Sequence, residues 1–93
     1  MTEVQPLITI AICSYNRRAY LEDTLMDVNA FQAKPGDAEV VVINNNSTDD
    51  TAAMLEGFKW TSPLALRTFI ETKQGLSHAR NRAIEEARAP FVL

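Results

Sequence analysis

Glycine, cysteine and histidine are all scarce in this chain of 93 residues, which has three glycines, one cysteine and one histidine. The glycines stand at Gly36, Gly57 and Gly75, so neither a Gly-x-Gly-x-x-Gly turn nor a P-loop can be assembled from them. One cysteine and one histidine are too few for a metal site of the Cys/His type. The sequence therefore argues against dinucleotide dehydrogenases, P-loop NTPases and Cys/His metal proteins.

Long apolar runs and a charge excess are also missing. No run approaches the roughly 20 apolar residues of a membrane span. A secretory signal has basic residues before its apolar run, and no basic residue precedes the first apolar run here. The net charge of -3 argues against the excess of basic residues with which proteins bind nucleic acid. Cys13 cannot form an internal disulfide, and we expect it to be a small buried residue in a reducing compartment. We expect a cytoplasmic location, or membrane association through a longer parent protein.

Short apolar runs rich in β-branched residues alternate with helical patterns along the chain. After a polar lead-in over residues 1–6, we predict strands at 7–13, 39–43 and 64–70, and the start of a fourth at 91–93. We predict helices at about 18–32, 47–58 and 76–88. This alternation predicts an α/β fold, a three-layer Rossmann-like parallel sheet with right-handed crossovers. We predict the spatial order three-two-one-four, in which strands one and two, the most apolar, are central or nearly so.

The helical patterns also predict which side chains face the sheet. Asn16 is expected to cap the first helix, and Ser47 to Asp50 has the form of a helix-start signal. Apolar residues at helical spacing are predicted to face inward: Leu21, Leu25, Val28 and Phe31 in the first helix, Met54, Leu55 and Phe58 in the second, and Leu76, Ala79, Ala83, Ile84 and Ala87 in the third.

Polar loops follow the first two strands, at residues 14–17 and 44–47. In an open parallel sheet both loops lie on the rim where ligands bind. Tyr15 could stack its ring on a base, and Arg17 could meet a phosphate at a helix N-terminus. The amides of residues 44–46 suit the imide edge of a pyrimidine or a ribose hydroxyl. Turn-and-cap chemistry favours the same residue types, so both interpretations stay open.

A third polar segment runs from Gly75 to Arg82. Arg80, near the start of a helix, could bind a diphosphate as a bidentate partner. His78 has no carboxylate beside it, which favours a surface role. Arg82 and Arg88 are interpreted as solvated helix charges. The acids Asp49, Asp50 and Glu56 are assigned to helix starts and solvent-facing charge rather than to a metal.

Three segments, ITIAICSYNR, EVVVINNNSTDDT and GLSHARNRAIEEARAPFVL, resemble the N-terminal half of the family 2 glycosyltransferases, over about residues 6–93. Each segment alone is a loose match, and the three together are specific. The resemblance implies the GT-A fold and transfer of a sugar from a nucleotide diphosphate sugar, often with inversion. It places Cys13, Tyr15 and Asn16 in the nucleoside pocket, Asn44 and Asn45 at positions facing base and ribose, and Arg80 near the diphosphate.

The chain departs from the family pattern at Asn44, where aspartate is usual, and at Ala83, where glycine is common. The resemblance also implies an acidic D-x-D-type motif after the fourth strand, which holds Mg²⁺ or Mn²⁺. We expect residues 1–93 to be an incomplete glycosyltransferase domain without the metal ligands and catalytic base, inactive alone and inclined to self-associate through a sheet edge. The alternative is a noncatalytic α/β module that binds a nucleotide or a partner.

Overall fold

Four parallel strands alternate with three helices. The structure, a computed structural model, describes residues 5–93, and the first four residues of the predicted lead-in lie outside this range. The elements are β1 (Ile8–Ser14), α1 (Arg18–Ala30), β2 (Ala38–Asn44), α2 (Thr51–Gly57), β3 (Ala65–Ile70), α3 (Leu76–Glu86) and β4 (Phe91–Val92). The sheet has the order β3-β2-β1-β4 with every neighbouring pair parallel, which confirms the predicted fold class and strand order.

The β2 strand is the centre of the molecule, because helices cover both of its faces. Val40 and Val42 pack with α1 and α2, and Val41 and Ile43 pack against α3. All four side chains are fully buried. A parallel strand enclosed on both faces reads as a continuous apolar run, which is why the sequence predicted its place correctly.

Three residues that were predicted to face the sheet are exposed instead. Phe31 is 72% exposed, because α1 ends at Ala30 and the backbone of Phe31 is already extended. Leu76 and Ile84 are 58% and 63% exposed. Only the small Ala79 and Ala83 of α3 are buried against the sheet, and the two larger residues line a groove beside them. The buried stripe of α3 is therefore narrower than its periodicity suggested.

The predicted helix starts are wrong at two places. The α2 helix begins at Thr51 rather than at Ser47, because the amide of Ser47 donates to Asn44 Oδ1 at 3.2 Å in a loop. Asn16 does not cap α1, since the residue before that helix is Arg17 and Asn16 has a left-handed φ of 50°. The polar residues act across loops, as described below.

A buried ionic cluster lies at the amino-terminal end of the sheet, centred on Glu39, which is 2% exposed. Its Oε1 accepts from Arg67 Nε and Nη2 at 3.2 and 2.7 Å, and its Oε2 accepts from Thr9 Oγ1 and the Arg88 amide, both at 2.7 Å. Burial raises the pKa of Glu39, but the four hydrogen bonds together outweigh burial and lower it. The cluster joins β1, β2, β3 and the segment that follows α3.

Arg82 is not the solvated charge that the sequence suggested. Its Nε donates to Glu86 Oε2 at 2.9 Å, its Nη1 donates to the Ile70 carbonyl at 3.3 Å, and Glu71 lies at 3.6 Å. Its guanidinium carbon is 5.3 Å from the centroid of the Phe69 ring. These contacts fasten α3 to the carboxyl end of β3.

Candidate functional site

A cavity of about 170 Å³ lies where β1 and β2 end, against the beginning of α3. This edge of the sheet is where ligands bind in open parallel α/β folds. The cavity is lined by Cys13, Ser14, Tyr15, Asn45, Gln74, Gly75, Leu76 and Ala79. It therefore has a wall formed by the end of β1, a wall formed by the start of α3, and Asn45 between them.

The β1 wall carries Cys13 and Tyr15. Cys13 is half-buried on the α3 face of the sheet. Burial raises the pKa of its thiol, and the nearby charge of Arg80 opposes that effect only in part. The sulfur is therefore a neutral wall atom at pH 7. Tyr15 is 41% exposed, so an aromatic ring at the cavity is accessible to a ligand.

The α3 wall depends on Gly75, the residue directly before the helix. Its φ of 137° and ψ of 143° lie in a region that is essentially restricted to glycine. This conformation directs the chain from β3 into α3, so that the helix begins at the cavity. A helix N-terminus carries partial positive charge and unpaired amides, which suit an anionic group.

Asn45 connects the two walls and is only 4% exposed. Its backbone amide donates to the Ser14 carbonyl at 2.8 Å. Its side-chain Nδ2 donates to the carbonyls of Glu71 and Lys73 at 3.2 and 2.9 Å, and its Oδ1 accepts from the Gly75 amide at 2.9 Å. The side-chain carboxamide of Asn45, which was predicted to face a base or ribose, thus bonds to the loop before α3.

Asn16 and Arg17 do not line the cavity. The side-chain Oδ1 of Asn16 accepts from the amides of Thr48 and Asp49 at 2.7 and 3.3 Å, and the Asn16 amide donates to Ser47 Oγ at 3.0 Å. Asn16 therefore holds the loops after β1 and β2 together. The Arg17 guanidinium carbon lies 5.5 Å from the centroid of the Tyr20 ring.

Asn44 and Arg80 lie in two neighbouring grooves. Asn44 faces α2, where it lines a groove of about 530 Å³ between that helix and β3. Arg80 is exposed and lines a groove of about 410 Å³ along β1, α3 and β4, which shares Cys13 and Leu76 with the cavity. Of the seven predicted binding residues, the structure brings Cys13, Tyr15 and Asn45 together, with Arg80 adjacent.

Comparison with known proteins decides the family. Residues 9–93 match the model described as Glycosyl transferase family 2. The chain belongs to this family. TuaG of Bacillus subtilis, a glycosyltransferase assigned by name to teichuronic acid biosynthesis, is 33% identical over 92 residues, which are 99% of this chain and 36% of TuaG. A poly-beta-1,6-N-acetyl-D-glucosamine synthase of Staphylococcus aureus is 28% identical over 92% of this chain and 20% of that synthase.

A solved structure has the same fold. The mannosyltransferase PcManGT from Pyrobaculum calidifontis, in complex with GDP-Man and Mn²⁺, superimposes with a TM-score of 0.75 and 30% sequence identity. The match covers 89% of this chain and 25% of PcManGT. The sheet of this chain is therefore that of the GT-A fold, as the resemblance predicted. The chain spans about a third or less of the relatives that it matches.

Gln74 lines the cavity although it was not among the predicted binding residues of this family 2 chain. It follows the polar run after β3, and the carboxyl end of β3 lies on the same rim as the two predicted loops. The rule that placed the first two loops on the rim would also have placed this third loop there.

The described residues do not fit the divalent cation that the family resemblance implies. Asp49 and Asp50 are the acidic pair nearest the loops, but Asp49 accepts from the Arg18 amide at 3.3 Å and from the hydroxyl and amide of Thr51. The hydrogen bond from the Thr51 hydroxyl is the main reason that the pKa of Asp49 is lowered. Within residues 5–93, no three His, Cys, Asp or Glu side chains are grouped to hold a metal ion.

Proposed function

We propose that this chain is the donor-binding region of a glycosyltransferase that, in the full-length protein, transfers a sugar from a nucleotide diphosphate sugar to an acceptor hydroxyl. The observation that supports this most directly is the cavity beyond β1 and β2, lined by Tyr15 and bordered by the start of α3. PcManGT, which shares the fold, was solved with GDP-Man and Mn²⁺. No observation favours a noncatalytic module over this proposal.

The chain's own residues would recognise the nucleoside and part of the diphosphate. Tyr15 would stack on the base, and stacking tolerates any base. The amides at the start of α3 would face the diphosphate, and Arg80, exposed beside the cavity, would add a charge-assisted contact. Contacts from Cys13, Asn16, Asn44 and Asn45 stay predictions from the resemblance, and a phosphate contact from Arg17 stays a prediction from its place before a helix.

The remaining groups of the reaction are proposed to lie outside these residues. Inverting transfer needs a base for the acceptor hydroxyl and a cation beside the departing diphosphate. We propose that ligands for Mg²⁺ or Mn²⁺, the base and the acceptor site belong to other parts of the protein. Since residues 5–93 group no metal ligands, we expect residues 1–93 alone to give no sugar-nucleotide turnover with added Mn²⁺. Turnover above the buffer blank would contradict this expectation.

Substitution of Tyr15 tests the site. Tyr15→Ala should weaken binding of GDP or UDP by about 1–3 kcal/mol if the ring stacks on the base. The measurement is a titration followed by backbone NMR shifts. Phe31→Ala is the control, because Phe31 is an aromatic residue that is 72% exposed and does not line the cavity. Shifts confined to the amino-terminal end of the sheet, near Glu39, would count against the proposed site.

Two further proposals concern the setting of the chain. Self-association through the β4 edge stays a prediction, for which Phe91 and Leu93 offer exposed apolar side chains at 70% and 77%. Within residues 5–93, no helix combines the length and apolar character that a membrane span requires. A cytoplasmic location, or membrane association through a longer parent protein, stays a proposal.

A further inference from the structure

We infer that Asn45 is a positioning residue, which sets the separation of the two cavity walls and acts on a bound nucleotide through the wall that it holds. The inference rests on the proposed function for its ligand and on the structure for its geometry. It assigns Asn45 a different role from the base or ribose contact that the resemblance implied.

The geometry places Asn45 between both walls. Its backbone amide is bonded to Ser14 of the β1 wall at 2.8 Å. Its side chain bonds at three points to the connection that leads into the opposite wall, the carbonyls of Glu71 and Lys73 and the amide of Gly75, and Gly75 itself lines the cavity. The three partners span the five residues of the β3–α3 connection, so one buried side chain bonds to both ends and to the middle of this loop. No other side chain within residues 5–93 makes a hydrogen bond to the amide of Gly75.

The contacts require a carboxamide at this position. Two carbonyl oxygens need two N–H donors, and the Gly75 amide needs an acceptor. An aspartate would supply the acceptor but no donor, and its charge would face the carbonyls of Glu71 and Lys73. An alanine would leave all three backbone groups without this partner. Asparagine alone places donors and acceptor on a side chain this short.

The held loop determines where α3 begins. Gly75 has no side chain of its own to anchor it, and because it lacks a Cβ its backbone can leave the φ of 137° for several other conformations once it is released. Gln74 and Leu76, on either side of Gly75, line the cavity. Loss of the Asn45 contacts would therefore move this wall and redirect the first amides of α3.

The chain contains a matched control. Asn29 in α1 uses its amide in the same way, with Nδ2 donating to the Lys59 carbonyl at 3.3 Å and Oδ1 accepting from the amides of Thr61 and Ser62, both at 2.8 Å. These contacts lie before β3, at the amino-terminal end of the sheet. Asn29→Ala thus removes a similar set of hydrogen bonds from a place that does not touch the cavity.

The test combines amide hydrogen exchange with titrations of GDP and guanosine on ¹⁵N-labelled wild type, Asn45→Ala, Asn45→Asp and Asn29→Ala. In Asn45→Ala we expect Gly75 to lose protection about five- to tenfold relative to β2 amides, and GDP to bind at least about fivefold more weakly. Asn45→Asp should bind both ligands about as weakly as Asn45→Ala. Asn29→Ala should keep wild-type Gly75 protection and ligand affinity.

Asn45→Asp separates positioning from direct contact, because a carboxylate keeps the acceptor that a base or ribose would use. Wild-type affinity of this variant for guanosine, which carries no phosphate charge, would overturn the inference. A loss of protection spread evenly over all amides of Asn45→Ala would also overturn it. If Asn45→Ala does not fold, Asn45→Gln, which is one methylene longer, should show the same local loss. If the wild type binds neither ligand, the titrations are repeated with UDP and uridine, and failure of all four ligands would contradict the proposed function for this chain. The exchange data still decide the positioning role.

Discussion

Replacement of Glu39 by alanine is expected to lower the free energy of unfolding by about 3–5 kcal/mol, as removal of one partner of a buried ion pair does. Arg67 would keep its charge at a site from which the carboxylate is lost, and Thr9 and the Arg88 amide would lose their acceptor. The free energy of unfolding of a native domain is about 5–15 kcal/mol, so the variant should be close to unfolding at 37 °C. Urea denaturation followed by circular dichroism measures the change.

Glu22→Ala is the control for Glu39→Ala. Glu22 pairs with Arg18 at 3.5 Å four residues earlier on α1, and the two side chains are 36% and 40% exposed, so removal of Glu22 should lower the free energy of unfolding by no more than about 0.5 kcal/mol. A loss below about 1 kcal/mol in Glu39→Ala would mean that the cluster is worth no more than a surface pair.

The pH dependence of stability follows from the lowered pKa of Glu39. A carboxyl whose folded pKa is lower than its unfolded pKa stabilises the protein above the unfolded value, and this contribution is lost as the pH falls through the folded value. We therefore expect the urea midpoint of the wild type to fall on acidification below the usual range of glutamate. The urea midpoint of Glu39→Ala should fall less over the same change in pH.

Leu25→Ala is expected to lower the free energy of unfolding by about 2–5 kcal/mol, because it leaves a cavity in the core. Leu25 is fully buried between α1 and the sheet, in contact with the cluster that includes Val40 and Val42. Phe31→Ala, although it removes a larger side chain, should change stability by no more than about 0.5 kcal/mol, since Phe31 is exposed. Thermal or urea denaturation of both variants provides the comparison.

The pair also tests where α1 ends. The spacing of apolar residues placed Leu25 and Phe31 on one inward face, which predicts a large loss for both. The structure ends the helix at Ala30, before Phe31 can join that face. If Phe31→Ala loses as much stability as Leu25→Ala, the last turn of the helix continues to Phe31 and packs on the sheet.

Much of the fold could be predicted because its signals are local. The apolar run at 39–43 needs only its neighbours to be recognised as a buried parallel strand, and the strand–helix alternation then limits the topology to few choices. The rim position of Tyr15 follows from the same rule, because a loop after a parallel strand lies at the ligand edge of the sheet. Local signals were therefore enough to predict the sheet order, the rim loops and the resemblance to family 2.

The hydrogen-bond partners of the polar side chains, in contrast, depend on the folded chain. Asn16, Glu39 and Asn45 each bond to groups about 30 positions away in the chain. An asparagine in a polar loop has the same local signature whether it caps a helix, binds a ligand or holds another loop, because its amide can donate and accept in all three cases. The choice depends on which backbone groups the folded sheet brings within hydrogen-bond distance, and that information is not carried by residues adjacent in sequence.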